Sequence, residues 1–122
     1  MKQAIDMAVV EELLALSEEG DPELLVDLIQ MYLQDGPHKL AEITDGLANQ
    51  DYDRVERAAH SLKGAAGNLG AIMVQQDCET LQVASRHHEL ETVKRGLTDL
   101  KGHFEESESA LQALLSKYSG AT

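Results

Sequence analysis

Tryptophan is absent from this chain, and phenylalanine occurs once, beside three tyrosines. The core must therefore come from small aliphatic side chains, which suits helices packed closely on one another. Proline occurs twice and runs of β-branched residues are missing, so the natural expectation is an all-α fold. The single cysteine, Cys78, excludes an internal disulfide and is compatible with a reducing compartment. Basic residues are scarce: 10 Lys and Arg stand against 22 Asp and Glu, for a net charge of −12. That balance argues against general binding to nucleic-acid phosphates and disfavours docking on anionic membranes. No apolar run approaches the roughly 20 residues of a membrane span. The opening MKQAIDMAVVEELL carries acids early and does not read as a signal peptide. These absences lead us to expect a soluble cytoplasmic protein, either free-standing or cut from a larger chain. Its 122 residues suit one domain spanning 1–122.

What is present is helical periodicity. Asp6 can cap a short first helix with Val9, Val10, Leu13, Leu14 and Leu16 on its apolar face, ended by Gly20. Asp21-Pro22-Glu23 then reads as an N-cap, a proline at the first helical position and an acid in the first turn. The helix that follows carries Leu24, Leu25, Leu28, Ile29, Tyr32 and Leu33. Gly36-Pro37 is expected to interrupt and kink it, because Leu40, Ile43 and Leu47 resume the same spacing. Asn49-Gln50-Asp51 forms a turn, and Asp51 caps a third helix that Gly70 can stop. A fourth helix holds Val74, Cys78 and Leu81 and ends near His87-His88. In the fifth, Leu90, Val93, Leu97, Leu100, Phe104, Ser107, Leu111, Leu114 and Tyr118 alternate at gaps of three and four. Short connections make neighbours antiparallel. The reading is an antiparallel four-helix bundle with a short additional N-terminal helix.

The third helix holds HSLKGAAGNLG, residues 60–70, with glycines at 64, 67 and 70. Each costs on the order of 1 kcal/mol relative to alanine inside a helix, so either the helix ends there or something needs the space. Val55, Ala59, Leu62, Ala66 and Leu69 form the buried stripe. Arg57, His60, Lys63, Gly64 and Gly67 share another face by i, i+3, i+4, i+7 spacing. The glycines clear ground beside the imidazole for another molecule's backbone. Residues 57–76 contain no acid, where simple proportion gives roughly three or four. Arg57, Ser61, Lys63, Asn68 and Gln75 look exposed in that window. The result reads as an acid-free patch able to receive something anionic.

AAHSLKGAAGNLGA, residues 58–71, resembles the motif of histidine-containing phosphotransfer (HPt) domains of bacterial phosphorelays. DPELLVDLIQMYLQDGPHKL is similar to that family's long second helix, and CETLQVASR to its fourth. The resemblance implies that His60 takes a phosphoryl group on its outer ring nitrogen, that Lys63 helps hold it and that Gly64 leaves room for the partner. It places Gln82 and Arg86 at polar positions near the histidine, and the wider docking set is Arg57, Ser61, Gly64, Gly67, Asn68, Gln82 and Arg86. It further implies response-regulator receiver domains as partners, with a hybrid sensor histidine kinase as another candidate. Mg²⁺ and its carboxylate cluster would then come from the receiver.

The residues support this chemistry unaided. Neutral imidazole is a competent nucleophile near neutral pH, and the Lys63 cation would offset charge on the phosphoryl oxygens. No P-loop or kinase motif is present, so the chain is not expected to use ATP. It also shows no metal-ligand spacing: adjacent His87 and His88 diverge by about 100° on a helix, and His38 and His103 stand alone. A monomer is the expectation, since one surface must stay open. Two other functions stay open at this point. One is a non-catalytic receiver-binding module, and the other is the phosphoacceptor domain of a chemotaxis-type histidine kinase.

Overall fold

The computed structural model describes residues 3–17 and 21–119. The order is α1 (Met7–Ala15), α2 (Glu23–Ala48), α3 (Tyr52–Asn68), α4 (Ile72–Arg86) and α5 (Leu90–Tyr118). Consecutive long helices pack as neighbours, α2 on α3, α3 on α4 and α4 on α5, and α2 also packs on α5 to close the bundle. α1 lies against α2. No helix among the described residues is long and apolar enough to cross a membrane.

Local chemistry sets the helix starts. Asp6 Oδ1 accepts from the Ala8 N–H at 3.0 Å and caps α1. Gly20, expected to end that helix, lies outside the described residues; α1 stops at Ala15. Asp21 Oδ1 accepts from the Glu23 N–H at 3.0 Å, although the helix begins one residue later than expected, leaving Pro22 at the cap. Asp51 Oδ1 accepts from the Arg54 N–H at 3.2 Å and caps α3.

The three turns of the bundle share one geometry. Gln50, Gly70 and His88 have φ of 51°, 74° and 54°, each one residue past a helix C-cap. At the first, the Gln50 N–H donates to Leu47 C=O and the Asp51 N–H to Gly46 C=O. The same paired bonds run from Gly70 and Ala71 to Gly67 and Ala66, and from His88 and Glu89 to Ser85 and Ala84. These are Schellman motifs, which satisfy the last carbonyls while reversing the chain. Only Gly70 fills its left-handed position with glycine.

The core is aliphatic, as the composition requires. Leu25, Ile29, Ile43, Val55, Leu62, Leu81, Leu100 and Leu111 are fully buried, along with Cys78. Burial pushes the Cys78 thiol up to about 12, so it packs as a small apolar group. Phe104 tilts against Tyr32 with ring centroids 5.3 Å apart, and the Tyr32 hydroxyl meets Ser107 Oγ at 2.8 Å.

Two expectations change here. α2 is one 26-residue helix that passes through Pro37 without interruption. Proline removes one helical hydrogen bond, yet buried Tyr32 and Ile43 hold the helix on both sides of it. Gly36 also has a packing role: a Cβ built there would lie 2.5 Å from Phe104 Cζ. His103, in turn, does not stand alone. Its Nδ1 meets Asp77 Oδ2 at 2.5 Å across the α4–α5 seam.

Candidate functional site

The buried stripe of α3 is as expected, with Val55, Ala59, Leu62, Ala66 and Leu69 all inside and Ala58 added. Turning that stripe inward leaves His60 exposed beside α4. A shallow hollow there is lined by Glu56, Arg57, His60, Lys63, Gln82 and Arg86. The expected histidine, the three cations and Gln82 are thus brought together from two helices.

Gln82 sits differently from the docking role suggested for it. It is 5% exposed and offers almost no surface to a partner. Its Nε2 lies 3.2 Å from His60 Nδ1, so it holds the ring from below. The identity of the facing amide atom matters. If Nε2–H donates, the neutral ring carries its proton on the outer nitrogen. If the amide rotates by half a turn, Oε1 accepts from Nδ1–H and the outer lone pair is free. Gln82 Oε1 is buried without a hydrogen-bond partner, and the rotated amide would satisfy it while moving the NH2 group into the position it leaves. Ser85 Oγ, one turn further along the same face, is also buried without a partner.

The cations are not equivalent. Lys63 Nζ meets Glu79 Oε2 at 2.8 Å, and Arg86 Nε meets Glu56 Oε2 at 2.7 Å. Arg57 has no acid partner among the described residues. Lys63 holds the exposed Glu79 carboxyl below the usual carboxylate range, helped by Arg86 and His60. The patch is therefore not acid-free. The 57–76 window ends just inside Glu56 and before Glu79, and folding sets both acids back beside it. A linear window misses what the neighbouring helix contributes.

The three glycines have three different roles. At Gly64 a built Cβ would meet nothing within 4 Å, so the ground beside His60 is open there. At Gly67 it would lie 2.9 Å from Gln75 Nε2, so α4 fills that space instead. Gly70 takes the left-handed turn, and its carbonyl accepts from the Asp6 N–H at 2.8 Å, which ties the start of α1 to the end of α3. Ser61 and Asn68 do not join the His60 hollow. They line a separate apolar hollow of about 130 Å³ between α2 and α3, with Leu28 and Met31 opposite.

Nothing in this arrangement holds a metal: among the described residues no group of three or more His, Cys, Asp or Glu is placed to do so. What the site offers is one exposed imidazole with a fixed inner nitrogen, cations on both flanks and bare backbone one turn away.

Comparison with known proteins bears on the family and the fold. The Hpt domain family model matches residues 27–117. Histidine-containing phosphotransfer protein 1 of Oryza sativa subsp. japonica is 28% identical over 120 residues, spanning 88% of this chain and 82% of that protein. Pseudo histidine-containing phosphotransfer protein 2 of the same organism is 24% identical over 88 residues, spanning 70% and 58%. The crystal structure of histidine-containing phosphotransfer protein B (HptB) from Pseudomonas aeruginosa PAO1 has the same fold, with a TM-score of 0.86 at 21% identity, covering 97% of this chain and 99% of that one. In this chain His60 is present and exposed. Since the matched residues span well over half of its length, this chain belongs to the Hpt domain family.

Proposed function

We propose that this protein carries a phosphoryl group on His60, taken from a receiver aspartate of a response regulator and passed to another receiver in a phosphorelay. The observation that supports it most is the pairing of exposed His60 with buried Gln82. The outer Nε2 of His60 has no protein partner among the described residues, and with the Gln82 amide rotated so that Oε1 accepts from Nδ1–H, that outer nitrogen would keep its lone pair. In the transfer, the N–P bond forms at Nε2 as the P–O bond to the receiver's aspartate breaks. The aspartate leaves as a carboxylate with the electron pair, and the ring keeps its proton on Nδ1. Lys63, Arg57 and Arg86 offset charge on the phosphoryl oxygens. Gly64 lets the receiver's backbone approach. The receiver supplies Mg²⁺ and its carboxylates. We place the protein in the cytoplasm as a monomer, with the α3–α4 face open to each partner in turn.

The experiment is transfer from a panel of phosphorylated receiver domains with Mg²⁺, read by intact mass on the native protein and on His60→Gln. An acid-labile, alkali-stable adduct on the native protein alone is the expected result. Binding without transfer from any receiver would replace this reading with the interaction-module one. Transfer from a kinase core alone would favour the chemotaxis-type role.

A further inference from the structure

The hollow around His60 is lined by three cations, Arg57, Lys63 and Arg86, and by the carboxylate of Glu56, and a second carboxylate, Glu79, lies outside the lining but pairs with Lys63 at its edge. With neutral imidazole the sum is +1, where the cations alone would give +3. We infer that Glu56 and Glu79 set how tightly the site holds a phosphoryl group, cancelling two of its three cations so that the group remains free to leave. The inference rests on His60 as the phosphoacceptor.

The geometry explains why the acids act on charge more than on position. Arg86 uses only Nε for Glu56, so the two terminal nitrogens of its fork remain to bond an anion. Lys63 gives one of its three N–H donors to Glu79 and keeps two. Neither ion pair must break for the cation to reach a phosphoryl oxygen. What each acid does is lower the positive potential there. A phosphoryl group brings close to two negative charges on its oxygens. Against three unopposed cations it would be held as a stable ion cluster, which is useless to a carrier that must release it. The acids come from different helices, Glu56 from α3 and Glu79 from α4, and each holds a cation of the other helix.

The test uses the intact protein phosphorylated chemically with phosphoramidate, so that no partner is needed. ³¹P titration of the adduct then reads the potential at the phosphoryl oxygens through their second ionisation. Glu79→Gln and Glu56→Gln keep side-chain shape and remove charge, and both are expected to lower that ionisation. Glu91→Gln, which breaks a remote pair with Lys94 on α5, is expected to leave it unchanged. With a receiver and Mg²⁺ present, each site variant is expected to shift the partition of phosphoryl toward His60 by roughly three- to tenfold at about 50 mM salt, and by much less at about 500 mM. An unchanged ionisation, or a partition that moves toward the receiver, would overturn the inference and show that the acids only position the cations. If phosphoramidate loads His60 and the titration shifts, but no receiver donates, the relay function fails and this inference stands. If receivers donate and the variants do not shift, the reverse holds. If His60 accepts phosphate from neither source, both fall.

Discussion

Gly64→Ala separates folding from function at one carbon atom. Gly64 is an exposed position inside α3, and a Cβ there meets nothing within 4 Å. The methyl group therefore costs no packing, while alanine removes the entropy penalty of a helical glycine, worth about 0.5–1 kcal/mol. For a domain of this size that corresponds to a rise in Tm of about 2–5 °C. Under the proposed function the same atom stands where a partner's backbone comes close to His60, and a misplacement on the order of 1 Å at a reacting centre costs up to about a hundredfold in rate. We expect a more stable protein that accepts phosphate from a receiver tenfold to a hundredfold more slowly, by the same order-of-magnitude reasoning. Gly102→Ala is the matched control: it is also exposed, inside α5, with nothing within 4 Å of a built Cβ, and it lies away from the hollow. It should give the same stabilisation with unchanged transfer. The assays are urea denaturation and stopped transfer time courses on both variants. If Gly64→Ala gains no stability, the open ground is not open. If it gains stability and transfers like the native protein, the partner does not need that ground, and the role given to Gly64 is wrong.

Three further outcomes follow from the packing and the charges. Gly36→Ala should destabilise, because its Cβ would sit 2.5 Å from a buried Phe104 ring; overpacking of about 1–3 kcal/mol outweighs a helical gain of about 1 kcal/mol over most of that range, read as a lower urea midpoint. Gln50→Gly should stabilise the fold by about 0.5–1 kcal/mol, read as a higher urea midpoint, since Gln50 holds φ at 51° where glycine is unstrained. Asp77→Asn should stabilise the fold near neutral pH. Burial raises the Asp77 carboxyl above its usual value despite His103, so the native protein loses stability as pH climbs through that raised value. The gain of the variant should be present at pH 7 and gone below the unfolded carboxylate range, in paired urea titrations at the two pH values.

The helices were legible because their signals are local. The 3-4 alternation from Leu90 to Tyr118 and the caps at Asp6 and Asp51 depend on residues a few positions apart. The boundaries of α3 could be read from Asp51 and Gly70 for the same reason. His60, Lys63 and Gly64 were legible as one face of one helix. What the sequence hid depends on a second helix. Nothing near Gly36 in the chain indicates that Phe104, 68 positions later in the numbering, rests on it. Glu79 and Glu56 lie just outside the acid-poor window, so they read as ordinary surface acids until α4 packs on α3. Gln82 looked like surface because a buried glutamine is uncommon, and its contact with His60 across the α3–α4 seam appears only in the fold. The interruption expected at Pro37 does not occur, because tertiary packing outweighs a lost hydrogen bond.

The left-handed turns at Gln50, Gly70 and His88 also bear on how quickly the chain finds its fold. Each joins helices whose packing partners are sequence neighbours, so most of the bundle is assembled by closing short loops, the regime of microsecond-to-millisecond folding. Among the four long helices only the α2–α5 seam spans the whole bundle. The meeting of Gly36 with Phe104 belongs to that seam, whose closure spans the longest stretch of chain between packed helices of the bundle.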